Sequence, residues 1–426
     1  MSIYDNVQNI KSQINSSLAS KSIKWGNALS LELWRMQTTP FNIIKILIGT
    51  LLFEYNDFTL KKSNSDILVE YSIRQWKRKD YDYIIDNLKS ELDSYDELNV
   101  YPRRKKWLNV FKVFEIIILF FSLNKVRNIK NRFIIANLIA RRSNLVNKIK
   151  KQLNEENYKV LITFCDAHII SNIIAQLANN HNITTVTLQH GQYVYYEPIQ
   201  AVVHCETYEN FLSKYMLIWG EHTLSEMKKA GIDESRLIKS GAIKEYVFKN
   251  DFNKKSDTFG IVLSNSTFRE SNVKLLEIGN EIARALSMKY IVKLHPLDNI
   301  KHYKKYINAE YVRTDISLNL RLDEYIDNID FSIIHFSTMY IDLIGAGSPV
   351  FIFSDENNKS MFGDEREKFM NIHEFFNMYK DFSRSSELWK SQMECNYRKF
   401  IEITKESAVK HSENIYIIRL CSNYSY

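Results

Sequence analysis

Two histidines in this chain follow directly on short apolar runs. Residues 183–188 (ITTVTL) lead into Gln189-His190-Gly191-Gln192, and residues 291–294 lead into His295-Pro296. A neutral imidazole near pH 7 can take a proton from a hydroxyl, so His190 is a candidate general base. The alternative is a structural histidine bonded to a loop carbonyl. Gly191 removes side-chain bulk beside it and lets a substrate approach the backbone. That position at a strand end favours the functional reading. Lys293 and His295 could both donate to a phosphate, and Pro296 fixes the turn that follows. His295 could equally be a satisfied structural histidine. One strand-end histidine in each half makes a shared site more convincing than either alone.

Other polar residues fall at equivalent places. Residues 331–335 end in Phe336-Ser337-Thr338 before a helical pattern. Ser337 or Thr338 can cap that helix, and its free N–H groups could take a diphosphate. An ordinary capped helix is the competing reading. Asp342, about one turn on, could accept from a ribose hydroxyl or could simply complement the helix dipole. Residues 261–263 lead into Ser264-Asn265-Ser266-Thr267-Phe268-Arg269, small polar residues and an arginine suited to phosphate. A surface loop would have the same composition. Asp80-Tyr81-Asp82 has the form of a metal-binding D-x-D but lies in a charged helical stretch, which reads as a solvated face. Cys165 with His168, and His204 with Cys205, match no structural zinc spacing, so no metal is expected. No Walker A or G-x-S-x-G sequence occurs.

The elements that must position these residues alternate. Residues 160–164 read as a strand, 167–179 as a helix and 183–188 as a strand, a βαβ unit. Strands follow at 215–219, 237–239, 259–263, 290–294, 331–335 and 349–353. Helices intervene at 223–230, 271–286, 322–329 and 340–346, and Gly231 is a natural helix stop. This rhythm predicts an α/β protein with two Rossmann-like halves joined near residues 205–255, and ligands beyond the strand ends, in a cleft between the halves. The expected domains are a mostly helical, basic region at 1–150, the rest of the first α/β half at 151–212, a nucleotide-donor domain at 213–360, and helices at 361–426.

The bulk composition is that of a globular chain: 426 residues, 45% hydrophobic and 25% charged, with only 11 Gly and 5 Pro. The net charge is +7, and much of the excess lies before residue 150, at Arg103 to Lys106, Lys125, Arg127, Lys130, Arg132, Arg141 and Arg142. Such a block suits an anionic partner or is a solvated surface. No zinc-finger or RNP-like pattern accompanies it, so nucleic acid is not expected. Four scattered cysteines fit a reducing compartment, and residues 1–14 have no apolar core of the signal-peptide kind. Residues 113–123 (VFEIIILFFSL) are too short to span a bilayer, so they form a buried helix or one on a membrane surface. A cytoplasmic protein, peripheral at the inner face of the membrane, is the expectation.

Taken in order, Gln189-His190-Gly191, residues 215–241, Ser266-Thr267-Phe268-Arg269, Lys293-Leu294-His295-Pro296, residues 330–342 (DFSIIHFSTMYID) and Gly347-Ser348-Pro349-Val350 resemble a known series. It is that of the CDP-glycerol glycerophosphotransferase family of teichoic-acid synthesis and related capsule polysaccharide transferases. The resemblance covers about residues 158–355. It implies a GT-B fold and a metal-independent transferase that needs no cofactor. Its donor would be a nucleotide-sugar or CDP-polyol, and its acceptor a lipid-linked or polysaccharide chain. It also implies acceptor activation by His190. The diphosphate would be held by His295, Ser337, Thr338 and Asp342, joined by Arg269 and Lys293. Ser266 stands where the pattern has proline, Lys293 where it has arginine and Thr338 where it has a second serine, and the lysine after His-Gly is missing. The Q-H-G form is closer to capsule glycosyltransferases, so a sugar nucleotide is at least as well supported as CDP-glycerol. Two rivals remain: a sugar-nucleotide 2-epimerase, expected to need several acidic residues in its site, and a non-catalytic scaffold subunit.

Overall fold

The structure is a computed structural model. It describes residues 2–19, 21–39, 41–72, 79–104, 109–195, 202–241, 256–295, 298–314, 320, 322–356 and 363–401. The chain divides into two compact units at Lys244/Glu245. No helix among the described residues is long and apolar enough to cross a membrane.

Unit 1 begins with four helices, α1 (Ile3–Ser17), α2 (Trp25–Ala28), α3 (Ser30–Thr38) and α4 (Ile43–Leu52). Strands β1 (Phe53–Lys61) and β2 (Ile67–Glu70), helix α5 (Lys79–Ser90) and strand β3 (Asp96–Arg104) follow. Next come α6 (Phe111–Ser122), α7 (Ile129–Ala140), α8 (Ser143–Glu155), β4 (Val160–Thr163), α9 (Ile169–Asn180), β5 (Thr184–Leu188), α10 (Val202–Tyr208), β6 (Tyr215–Ile218), α11 (Glu221–Lys229) and β7 (Leu237–Lys239). The sheet order is β1-β3-β2-β4-β5-β6-β7. All neighbours are parallel except β1, which pairs antiparallel with β3 at the edge.

β4 and β5 are buried at every residue, as a parallel sheet covered on both faces requires. α9 is buried continuously from Ile170 to Ala178, and packs on β4 and β5. Two of the three threonines of β5 tie its side chains into the fold. Thr185 Oγ1 donates to Asn179 Oδ1 at 2.7 Å, and Thr187 Oγ1 accepts from Asp166 N at 3.1 Å. α11 ends as expected: Gly231 takes φ +79°, a value other residues avoid.

One expectation is incomplete here and another fails. Residues 1–150 are mostly helical, as expected, but not without strands: β1, β2 and β3 lie within them. The apolar run of α4 passes into β1 with no Gly or Pro after Gly49, three residues inside the helix end, and Phe53 is both helix cap and first strand residue, so periodicity merges the two. β2 is only four residues long. Nor does the second half open at residue 213. β6 pairs with β5 (Val186 beside Tyr215) and β7 with β6, so both complete the first sheet. A βα repeat reveals its strands but not which sheet receives them.

Unit 2 contains β8 (Thr258–Val262), α12 (Arg269–Leu286), β9 (Lys289–Lys293), α13 (Leu322–Asp327), β10 (Ser332–Ile334), α14 (Met339–Gly345), β11 (Val350–Phe353), β12 (Lys368–Phe369), α15 (Ile372–Arg384) and α16 (Ser386–Phe400). Its sheet is wholly parallel, in the order β12-β11-β10-β8-β9. Gly260 in β8 is required by packing: a Cβ there would lie 1.8 Å from Tyr325 Oη. The helices expected after residue 361 are present to Phe400; residues 402–426 lie outside the described residues.

Candidate functional site

Strand order selects the sites. In an open parallel sheet a ligand crevice opens at the C-terminal strand ends where the order reverses. In unit 1 that point lies between β2 and β4; in unit 2 it lies between β8 and β10.

The unit 1 crevice is framed by Glu70, which ends β2, and by Phe164 to His168, which follow β4. Glu70 is fully buried; its Oε1 accepts from Ser72 N at 2.9 Å, while Oε2 has no hydrogen-bond partner. Burial raises its pKa, against the hydrogen bond from Ser72. Asp166 Oδ2 accepts from Leu212 N (2.9 Å) and Ser213 N (2.6 Å), and Oδ1 is unpartnered. Burial pushes its pKa up to about 6, opposed by those hydrogen bonds and by the Arg236 charge. Asp166 therefore pins the loop before β6 and does not cap α9, whose N-cap position is His168. Burial drives the His168 pKa down to about 3, with the His190 and Arg35 charges acting the same way. Cys165 is buried and its thiol is pushed up to about 12, which makes it inert as a nucleophile or metal ligand at neutral pH.

His190 follows β5, one strand from the crevice, and is half-buried among rings. It stacks on Tyr208 (5.0 Å between centroids, 15°), tilts against Phe164 (5.1 Å) and meets Tyr81 edge-on (5.7 Å). Gln189 fixes the turn: Nε2 donates to Gly191 O (2.9 Å) and Thr223 Oγ1 (3.1 Å), and Oε1 accepts from Trp219 N (2.7 Å). Gln192 is 2% exposed, yet neither of its amide atoms has a partner. A buried unpaired amide is costly unless a water or a ligand completes it.

In unit 2, Ser264 after β8 and Phe336 after β10 close the crevice: Phe336 N donates to Ser264 Oγ at 2.9 Å. Asn272 braces the β8 loop, its Oδ1 accepting from Ser264 N and its Nδ2 donating to Ser264 O, both at 2.9 Å. Ser337 is half-buried and its Oγ accepts from Met339 N at 3.3 Å; Thr338 is exposed, at the N-cap of α14 without a side-chain cap bond. Lys293, ending β9, donates to Leu320 O at 2.7 Å and lies 5.6 Å from the Tyr325 ring centroid. Burial lowers its pKa, opposed first by the Asp342 carboxylate, so these two expected site residues are electrostatic neighbours. α14, which carries Asp342, is anchored by Tyr340 donating to buried Glu367 at 2.8 Å, with Asn396 donating to the same carboxylate at 3.0 Å.

Of the residues expected from sequence, Ser337, Thr338, Lys293 and Asp342 gather around the β8–β10 crevice and β9. His295 is half-buried after β9, and its carbonyl accepts from Asp298 N; Pro296 lies outside the described residues. Arg269 is not drawn in: it is exposed, and its guanidinium meets His302 at 3.3 Å. In unit 1 His190 and Gly191 lie where expected. Glu70, Gln192, Tyr81 and Tyr208 were not foreseen. Glu70 could have been found had β2 been recognised; nothing local in the sequence marks the others. Among the described residues no group of three or more His, Cys, Asp or Glu is placed to hold a metal ion.

No family sequence profile matches the chain, and no curated protein matches it in sequence. Solved structures do match in fold. A putative UDP-N-acetylglucosamine 2-epimerase from Listeria monocytogenes is similar at TM-score 0.51 and 10% identity, covering 83% of this chain and 95% of that one. A S. aureus MnaA–UDP co-structure is similar at TM-score 0.50 and 10% identity, over 83% and 97%. Likeness at this identity concerns architecture: the chain is an α/β protein of two Rossmann-like units, the GT-B fold, with substantial helix besides.

Proposed function

We propose that this protein is an enzyme acting on a nucleotide-activated sugar, and that it transfers the sugar to a polysaccharide or lipid-linked acceptor of a bacterial surface polymer such as capsule or teichoic acid. The observation that carries the reading is the polar set at the ends of three adjacent strands of unit 2, Lys293 after β9, buried Ser264 bracing the turn after β8 and Ser337 after β10, with Asp342 on α14 as the electrostatic neighbour of Lys293. Lys293 and the N–H groups after β10 suit a diphosphate, and Asp342 suits a ribose hydroxyl. In the transfer, His190 takes the proton of the acceptor hydroxyl as its oxygen bonds to the anomeric carbon. The bond from that carbon to the phosphate oxygen breaks, and the nucleoside diphosphate leaves with the electron pair, stabilised by Lys293. Gln192 would supply hydrogen bonds to a sugar or acceptor hydroxyl. A CDP-polyol donor fits the same diphosphate contacts.

A second reading, epimerisation at C2 of a UDP-sugar, gains from one observation. Two buried carboxyl groups, Glu70 and Asp166, flank the unit 1 crevice with raised pKa values, where the sequence suggested few acidic residues. The solved structure of a putative UDP-N-acetylglucosamine 2-epimerase from Listeria monocytogenes is similar in fold. Incubation with a UDP-sugar in the absence of acceptor separates the two. A C2-inverted nucleotide sugar establishes the epimerase and refutes the transferase. No change without acceptor, and nucleotide release with a polysaccharide acceptor, supports transfer.

A further inference from the structure

Helix α6 is inverted with respect to water. Phe111, Phe114, Ile118 and Phe121, spaced three or four residues apart, are 79%, 65%, 66% and 69% exposed, with Val113 and Ile117 beside them. Its one lysine points inward. Lys112 is 4% exposed and its Nζ donates to Ala140 O (2.6 Å), Ser143 Oγ (2.8 Å) and Glu115 Oε2 (2.6 Å), capping the end of α7. The helix thus buries its cation and turns its rings outward. α4, packed beside α6 and α7, adds exposed Ile43, Ile44 and Ile48, and Ile129 at the start of α7 extends the same apolar surface. A contiguous patch of this kind marks an interaction surface.

The charge around it is predominantly positive. Within residues 41–52 and 109–132 the described charged side chains are Lys45, Lys112, Lys125, Arg127, Lys130, Arg132 and Glu115, and Glu115 is paired with Lys112. Beyond Phe41 and the α6–α7 loop lies a cavity of about 450 Å³ whose lining includes Arg127, Lys130, Gln13, Asn128 and Asn131, and no acidic residue. Twelve residues of α6 measure about 18 Å, less than a bilayer's hydrocarbon core, so the helix can lie in an interface but not cross it.

We infer that the α4–α6 face is a membrane-docking surface: its rings enter the acyl boundary of an anionic bilayer, and the adjoining basic cavity receives a lipid headgroup. A second copy of the chain is a poorer occupant, since a twofold contact through this face would set its like-charged margins together. The inference goes beyond the proposed reaction and does not depend on it.

The test is co-sedimentation of the full chain with vesicles, without donor or acceptor. Vesicles of phosphatidylcholine with phosphatidylglycerol are compared with phosphatidylcholine alone, at low and high salt. The wild type should prefer the anionic vesicles by about tenfold or more, and salt should weaken the preference. Phe114→Ser with Ile118→Ser, both at exposed positions, should lower binding at least about tenfold with an unchanged melting temperature. Arg127→Gln with Lys130→Gln should abolish the anionic preference and leave weak binding to both vesicles. Three results would overturn the inference. One is failure of the wild type to bind anionic vesicles. Another is undiminished binding by the double serine variant. The third is a dimer in vesicle-free solution that the serine substitutions dissociate, which would give the face to a second copy.

Discussion

The two sheets expose different chemistry at equivalent edges. In unit 1 the strand ends carry rings and buried ionisable groups: His190 lies among Tyr208, Phe164 and Tyr81, with Glu70 and Asp166 nearby in the switch-point crevice. In unit 2 they carry Ser264, Ser337 and Lys293, with Asp342 as the electrostatic neighbour of the lysine. The first environment is dry and shifts pKa values by desolvation, which suits proton transfer. The second offers hydrogen-bond donors and a cation, which suits a diphosphate. The proposed division of tasks thus rests on the residues that follow the strands in each sheet.

The contrast is broken most directly at His190. His190→Ala should lower turnover by about 10²- to 10⁴-fold while leaving nucleotide affinity nearly unchanged, measured by steady-state kinetics beside nucleotide titration. A loss of affinity with turnover intact would move the proton-transfer role elsewhere. Lys293→Met should differ, weakening nucleotide affinity about 10- to 100-fold in the same titration and lowering kcat as well, because the lysine both holds the diphosphate and meets the charge that develops on it.

His168 sharpens the comparison through pH. Its folded-state pKa of about 3 lies below the ordinary 6.5, so the native state resists protonation. The stability this contributes is complete above pH 6.5 and is lost as pH falls toward 3. Replacement by glutamine should remove about 2 kcal/mol of the destabilisation seen between pH 7 and pH 5 in denaturant titrations. Asp166 acts with the opposite sign. Its folded-state pKa is raised to about 6, so its contribution is complete below pH 3.8 and is lost as pH rises through 6. Asp166→Asn should therefore make the pH 7 to pH 5 loss steeper.

The smallest effect is expected at Gln192. Removing a buried amide without partners should stabilise the protein, so Gln192→Leu should gain about 1 kcal/mol while turnover falls. A fall in melting temperature would assign Gln192 to the fold and not to a ligand.

The sequence carries β6 to β11 almost to the residue, because each is a short apolar run closed by a polar turn, whereas the two-residue β12 falls where only helices are expected. It also carries His190, Gly191, Lys293 and Ser337, since a residue directly after such a run must lie at the sheet edge. What it does not carry is strand order. The placement of β2 beside β4, which brings Glu70 to the crevice, depends on long-range pairing with no local signature. Arg269 shows the converse limit: its position after β8 is as expected, but its side chain turns to His302. For residues 113–123 the sequence leaves two readings, a buried helix or one on a membrane surface, and only packing against α7 decides which face meets water.

The central claim is that unit 2 holds a nucleotide diphosphate, and the melting temperature of the full chain against UDP, CDP, GDP and dTDP tests it most directly. A ligand at about 100 times its Kd stabilises the native state by roughly 2.7 kcal/mol. The account predicts a selective rise with one of these nucleotides that shrinks in Lys293→Met, each protein being compared with its own unliganded value. The absence of a shift with any nucleotide, or an equal shift in the variant, would contradict it.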